Sequence, residues 1–154
     1  MAALADANGS DAITKVEVKG GMAELAELSA GRIMDAFRVQ NEKQLAKALD
    51  THHKRSSTDP TMLVIRMIYS EASKWLQAIS LSELPPKDAA AELFLNPWYF
   101  ENKVLPVAKA WGERRIIHLI KRLALCERAV LGGHVSPWIF LCSMLLSSCR
   151  SRVR

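Results

Sequence analysis

Three times in this chain a side chain that accepts hydrogen bonds stands directly before a proline and an apolar run: Asp59-Pro60, Asn96-Pro97 and Ser136-Pro137. Each pair reads as a helix start. The carboxylate, amide or hydroxyl oxygen accepts from free N–H groups of the first turn, and proline at the first helical position has no N–H to leave unsatisfied. Asn41 opens "EKQLAKALDTHHKR" with Gln44 at the reciprocal position, and Thr14 opens "TKVE" with Glu17 three residues on. Ser29 is placed to cap "AGRIMDAFR". No strand-like alternation persists anywhere. The chain is therefore expected to be all-α, an antiparallel helical bundle of about seven helices.

The apolar spacing says which faces turn inward. Ile33, Ala36 and Phe37 share one face, and Leu45, Ala48 and Leu49 another, with Lys43 and Lys47 turned to water. The run "TMLVIRMIYSEASKWLQAI" is apolar over most of its circumference. One row holds Leu63, Met67, Ser70 and Lys74; a second holds Val64, Ile68, Glu71 and Trp75. So wide a stripe marks a central helix touched by several neighbours. Pro85-Pro86 breaks the chain before a short helix, and Pro106 should kink or end the helix that starts at Pro97. Gly112 separates that element from "ERRIIHLIKRLALCERAVL", in which Ile116, Ile117, Ile120, Leu123, Ala124 and Leu131 follow helical spacing, and Gly132-Gly133 closes it. Gly20 and Gly21 shorten whatever helix follows Thr14.

Charge and cysteine usage bound the partners. Lys and Arg number 21 against 16 Asp and Glu, a net +5 that permits an anionic partner without requiring one. The tail "RSRVR" reads as a solvated basic end that could also touch nucleic acid. Cys126, Cys142 and Cys149 are odd in number and each sits in an apolar helical pattern, as reduced thiols do in a cytoplasm. "MAALADANGS" has no basic region followed by an apolar stretch, so it does not read as a signal peptide.

Catalytic motifs are not found. Neither Gly-Gly pair carries the Lys-Ser/Thr of a phosphate loop, and no Ser, Cys or Asp stands in a nucleophile motif. His52 and His53 are adjacent, so on a helix they diverge by about 100° and cannot chelate together; they read as a solvated pair at a helix end. His118 lies among Arg114, Arg115, Lys121 and Arg122. That basic row suits either a solvated or inter-subunit face or a contact to DNA, RNA or an acidic protein surface.

The closing stretch "GGHVSPWIFLCSMLLSSC" admits three readings. Its ten apolar residues fall short of the roughly 20 that span a bilayer. Cys142 and Cys149 share a helix face but stand about 10 Å apart along the axis, too far to grip one zinc ion together with His134. Packing remains: Trp138, Leu141, Cys142, Leu145 and Cys149 form one stripe. No cofactor and no metal are expected.

In their order these segments resemble the C-terminal part of the bacterial DNA polymerase III delta subunit, a component of the sliding-clamp loader. "AITKVEV" (12–18) is similar to the "I-T-x-x-D-V" that closes that family's second domain, with Glu17 in place of Asp. "IMDAF" (33–37) resembles the motif before its collar domain, and "NEKQLAKALD" follows as the next helix does. "DPTMLVIRMI" (59–68) resembles "x-P-x-x-L-L-x-x-L", and "NPWYFENKVLPVAKAW" (96–111) resembles "h-P-F" followed by a basic helix. "LCERAVLGG" (125–133) is similar to "L-x-x-x-D-x-x-L-K-x-G", with Glu127 for Asp and Leu131 for Lys. The likeness runs from about Leu4 to Cys149.

The resemblance implies a division into residues 1–28, the remnant of the second (lid) domain; 29–149, the helical collar; and 150–154, a basic tail. Nothing in the chain corresponds to the family's first domain, which carries the clamp-opening element. It implies a cytoplasmic, non-catalytic subunit of a DNA-directed DNA polymerase holoenzyme acting in DNA replication. Its collar would assemble with other clamp-loader subunits and meet the sliding clamp and primed DNA only through the complex. Trp138, Leu141 and Leu145 are then expected in the subunit-packing layer, with Arg114, Arg115, Lys121 and Arg122 as charged contacts to neighbours or DNA. The alternative is a stand-alone basic helical nucleic-acid-binding protein.

Overall fold

The structure, a computed structural model, describes residues 28–133 and 136–150, and its elements there are helices, with no strand among the described residues. Helix α1 covers 28–38, α2 Glu42–Arg55, α3 Thr61–Ser80 and α4 Pro86–Glu92. Helix α5 is continuous but changes register: Pro97–Tyr99 is α-helical, Phe100–Val104 π-helical and Leu105–Trp111 α-helical again. Helices α6, Glu113–Leu131, and α7, Pro137–Arg150, complete the seven. Thr14, Glu17, Gly20, Gly21, His134 and residues 151–154 of the arginine tail lie outside the described residues, whereas Arg150, the first of that tail, ends α7 and its Nε donates to Glu42 Oε1 at 2.6 Å.

Of the expected caps, Asn41 and Asn96 act through their side chains, whereas at Ser136 the described bond to the first turn of α7 is to the carbonyl, from the Phe140 N–H at 3.1 Å. Asn41 Oδ1 accepts from the Gln44 N–H at 3.0 Å, and Asn96 Oδ1 from Trp98 N–H at 2.8 Å. Asp59 Oδ1 accepts from the Thr61 N–H at 3.0 Å, but α3 begins at Thr61 with Pro60 as its N-cap, so Asp59 stands one residue before the cap and proline is not at the first helical position. Ser29 does not cap: it lies inside α1, buried, its hydroxyl unpaired among the described residues.

Helix α3 is the axis of the bundle, in contact with α5, α6 and α7; α7 also packs on α2 and α6, and α4 on the start of α5. Its buried row is Val64, Ile68, Ala72 and Trp75, while Leu63 and Ser70 face outward. Aromatic rings join three helices at the centre. Phe37 of α1 lies with its ring centroid 4.8 Å from that of Trp111 of α5 and 6.3 Å from that of Trp75 of α3, and the two tryptophans are 5.6 Å apart. Each such pair adds about 0.5–1.5 kcal/mol beyond area burial. Near them the Arg38 Nε donates to Glu71 Oε1 at 3.0 Å, so the half-buried carboxylate on α3 is paired.

Pro106 neither ends nor breaks α5. The Leu105 N–H reaches back five residues to the Phe100 carbonyl, so the hydrogen-bond ladder has already slipped by one residue where proline has no N–H to give. The slip keeps Phe100, Val104, Ala108 and Trp111 all buried. In α6 the inward residues are Ile116, Leu119, Leu123 and Cys126. Ile117, Ala124 and Leu131, expected on the apolar side, are instead exposed. Gly112, at φ 84°, makes the turn into this helix in a conformation that favours glycine.

Candidate assembly surface

The basic row of α6 does not act as a unit. Arg114, His118 and Lys121 are exposed and Arg122 half-buried. Arg115 turns inward: its Nη2 donates to Gln40 Oε1 at 2.5 Å and to the Ser148 carbonyl at 2.9 Å, and its guanidinium lies 4.6 Å from the Trp111 ring centroid. It fastens the end of α1 and the end of α7 onto α6. Of the four cations expected to contact a partner, Arg115 is therefore engaged inside the chain. Sequence spacing placed it beside Arg114 but gave no sign of acceptors on two other helices.

Helix α7 shows the same division between inside and outside. Leu141 and Leu145 are fully buried, with Met144 and Cys149 beside them, in the chain's own core. Trp138 is half-buried and stacks on His53 of α2 with ring centroids 5.1 Å apart. The three residues expected in a subunit-packing layer thus pack within the chain, because helical spacing identifies a buried face without saying what buries it. The side left over at the start of α7 carries Ile139, 64% exposed, and Phe140. Beside it a hollow is lined by His53, Ser56, Asp59, Pro137, Trp138 and Ile139.

The corner between α4 and α5 is a second apolar surface. The Leu95 N–H donates to the Ala90 carbonyl at 2.8 Å and the Phe94 N–H to that of Ala91 at 3.2 Å, the paired bonds of a Schellman stop. The residue at its centre must be left-handed, and here it is Phe94 at φ 55°, a conformation costing a side chain with Cβ about 1–2 kcal/mol. Phe94 is nevertheless 96% exposed and has no described burial to offset this strain. Trp98, with Lys103 Nζ 5.9 Å from its ring centroid, and Tyr99 extend the patch. Helix α1 ends with the same paired bonds around Gln40 at φ 57°. There the side chain is buried and held by Arg115. The aromatic density of "FLNPWYF" was the available signal for the corner.

Burial governs His52 and the three cysteines. His52, expected in a solvated pair, is 2% exposed and neither ring nitrogen has a partner among the described residues. Burial, and then the neighbouring His53, hold its pKa below the usual 6.5. The signal was present, since His52 continues the stripe Leu45, Ala48, Leu49 by helical spacing. All three cysteines are free. Burial pushes the thiols of Cys126 and Cys149 up to about 11 and that of Cys142, with Asp50 nearby, to about 12. They stay protonated and poor as nucleophiles near neutral pH.

Among the described residues no three His, Cys, Asp or Glu side chains gather as a metal site. No helix there is long and apolar enough to cross a membrane. What the geometry offers is surface: outward apolar side chains on α3, α5, α6 and α7, and exposed cations on α6. Compared with protein-family models, with curated proteins and with solved structures, the chain matches none.

Proposed function

We propose that this chain is a non-catalytic assembly module, an antiparallel helical collar of the kind found in the delta subunit of bacterial sliding-clamp loaders. One observation carries the reading. After a core containing Phe37, Trp75, Trp111, Leu141 and Leu145 has closed, large apolar side chains still stand in water on several helices: Leu63 and Tyr69 on α3, Trp98 on α5, Ile139 and Phe140 on α7. Withdrawal of such surface from water supplies most of the free energy of stable association. A ring-forming collar needs apolar contact toward more than one neighbour.

In this reading residues 29–149 hold loader subunits together in the cytoplasm without nucleotide, and no residue of the chain carries out chemistry. The sliding clamp and primed DNA are met only through the assembled loader. Support for the specific family comes from the order of its motifs along the chain, from "AITKVEV" through "IMDAF", "DPTMLVIRMI" and "NPWYFENKVLPVAKAW" to "LCERAVLGG". Co-elution of the purified chain with other loader subunits tests the proposal; elution apart from all of them contradicts it.

Exposed Arg114 and Lys121, with half-buried Arg122, favour a second reading, a stand-alone nucleic-acid-binding protein. A filter-binding titration separates the two. Tight DNA binding that falls steeply with salt supports the second reading, because each neutralised phosphate releases counterions. Weak binding at every salt concentration, together with co-elution, supports the first.

A further inference from the structure

We infer that the outward stripe of α6 is a docking seam for an acidic amphipathic helix of a partner protein. The stripe repeats every seven residues. Arg114, Lys121 and Arg128 occupy one position of the repeat, and Ile117, Ala124 and Leu131 another, three residues further on. All six are exposed, Leu131 to 75%. His118 and Leu125 stand between them at a third position, Leu125 at 55% exposure. A seven-residue repeat drifts by only about 20° per repeat on a straight helix, so the stripe stays on one side along the whole of α6. This face is separate from the buried one of Ile116, Leu119, Leu123 and Cys126. Apolar side chains at such spacing, in water, match the seam by which one helix accepts another.

The charges identify the occupant. None of Arg114, Lys121 and Arg128 has an acidic partner within ion-pair distance among the described residues. Glu113 and Glu127, the acidic residues of α6, are exposed and border the stripe on the side of Ile117, Ala124 and Leu131, away from the row of Arg114, Lys121 and Arg128, so the cations hold the other edge of the seam. A second copy of this face does not fit: antiparallel pairing sets Lys121 against Lys121 and Arg114 against Arg128, and parallel pairing sets every cation against itself. Like charges so placed repel. A complementary helix instead presents Glu or Asp at seven-residue intervals beside small or apolar residues. Next to the seam a hollow lined by Ile65, Arg66, Tyr69, Leu123, Ala124 and Glu127 gives room for one larger apolar side chain.

Two other anionic partners fit less well. Nucleic acid would pair with the cations but leave Leu125 and Leu131 in water, and Arg115 is already engaged with Gln40 and Ser148. A membrane surface needs an apolar side distinct from the basic side. On α6 that apolar side is already buried, and the exposed apolar residues share their stripe with the cations. The inference rests on the assembly reading only for the origin of the partner helix, in another loader subunit.

The test uses the full chain and a fluorescent helical peptide of repeating heptads with Glu and Leu at the positions complementary to the stripe. The peptide is expected to bind. Lys121→Glu should weaken binding by at least about tenfold, and a peptide with Lys in place of Glu should restore it to that variant. Leu125→Ser should weaken peptide binding while leaving a DNA duplex unaffected. Exposed substitutions of this kind leave the fold intact, which circular dichroism checks. The inference is overturned if a DNA duplex or phosphatidylserine vesicles bind as tightly as the peptide, or if Lys121→Glu leaves peptide affinity unchanged. If the chain joins loader subunits and Lys121→Glu joins them equally well, the seam fails while the collar stands. If the peptide binds but no loader subunit does, the seam stands and the collar fails.

Discussion

Arg115 on α6 donates to Gln40, 75 residues earlier in the chain, at 2.5 Å, and through that bond and a second to Ser148 one side chain holds three helices in register. The same nitrogen donates to the carbonyl of Ser148 near the end of α7. Gln40 is buried and left-handed, so without Arg115 its amide oxygen would lose its described donor in a backbone conformation that is itself unfavourable. Arg115→Ala should therefore cost about 2–3 kcal/mol of stability in urea denaturation, and Arg115→Lys part of that, since an ammonium lacks the planar fork. Arg114→Ala, one residue away and exposed, should change stability by less than about 0.5 kcal/mol.

Phe94 offers the opposite test. Its side chain is almost wholly in water while its backbone is strained. Phe94→Gly should raise the free energy of unfolding by about 0.5–1 kcal/mol, the relief at a left-handed position less the entropy lost by glycine. The same substitution should weaken association with any partner seated on the α4–α5 corner. Stabilisation with impaired association would mark Phe94 as a contact residue, whereas destabilisation would contradict the exposure described.

Burial of His52 makes stability depend on pH. Its folded pKa lies below the unfolded value, so the neutral ring is favoured in the native state. The unfolded chain takes up the proton first as pH falls. Stability is thus complete above about pH 6.5 and declines below it, toward the lowered native pKa, by at most about 1.4 kcal/mol per pH unit. Melting temperatures of the wild type and His52→Leu should converge at neutral pH or favour the variant slightly. They should separate further in the variant's favour as the solution is acidified.

Helix α7 predicts two outcomes within one turn. Leu141→Ala empties a fully buried site and should cost about 2–5 kcal/mol. Ile139→Ala touches an exposed residue and should leave the melting curve nearly unchanged while reducing association with a neighbour. Equal destabilisation by both would contradict the assignment of inner and outer faces.

The elements were legible in the sequence to the extent that their causes are local. Asn41 and Asn96 announce their helices because a cap acts within three residues. The inward rows of α1, α2 and α3 follow from helical spacing. Burial by a distant partner is not local. Arg115 looks like its neighbours in sequence, and only Gln40 and Ser148 distinguish it. Pro106 signalled a disturbance, but a π-helical stretch won over a break because it keeps Phe100 and Trp111 in the same core. Of the candidate surface, the cations of α6 were legible. Phe94 was not, because the left-handed residue ending a helix is ordinarily glycine.

The role proposed for this helical bundle is to join loader subunits without nucleotide. Sedimentation velocity of the purified chain mixed with the subunits of a bacterial clamp loader, in nucleotide-free buffer, tests it most directly. The account predicts that the chain co-sediments in one larger complex and that Ile139→Ala together with Phe140→Ala releases it. A chain that sediments apart from every loader subunit, with and without nucleotide, would contradict it.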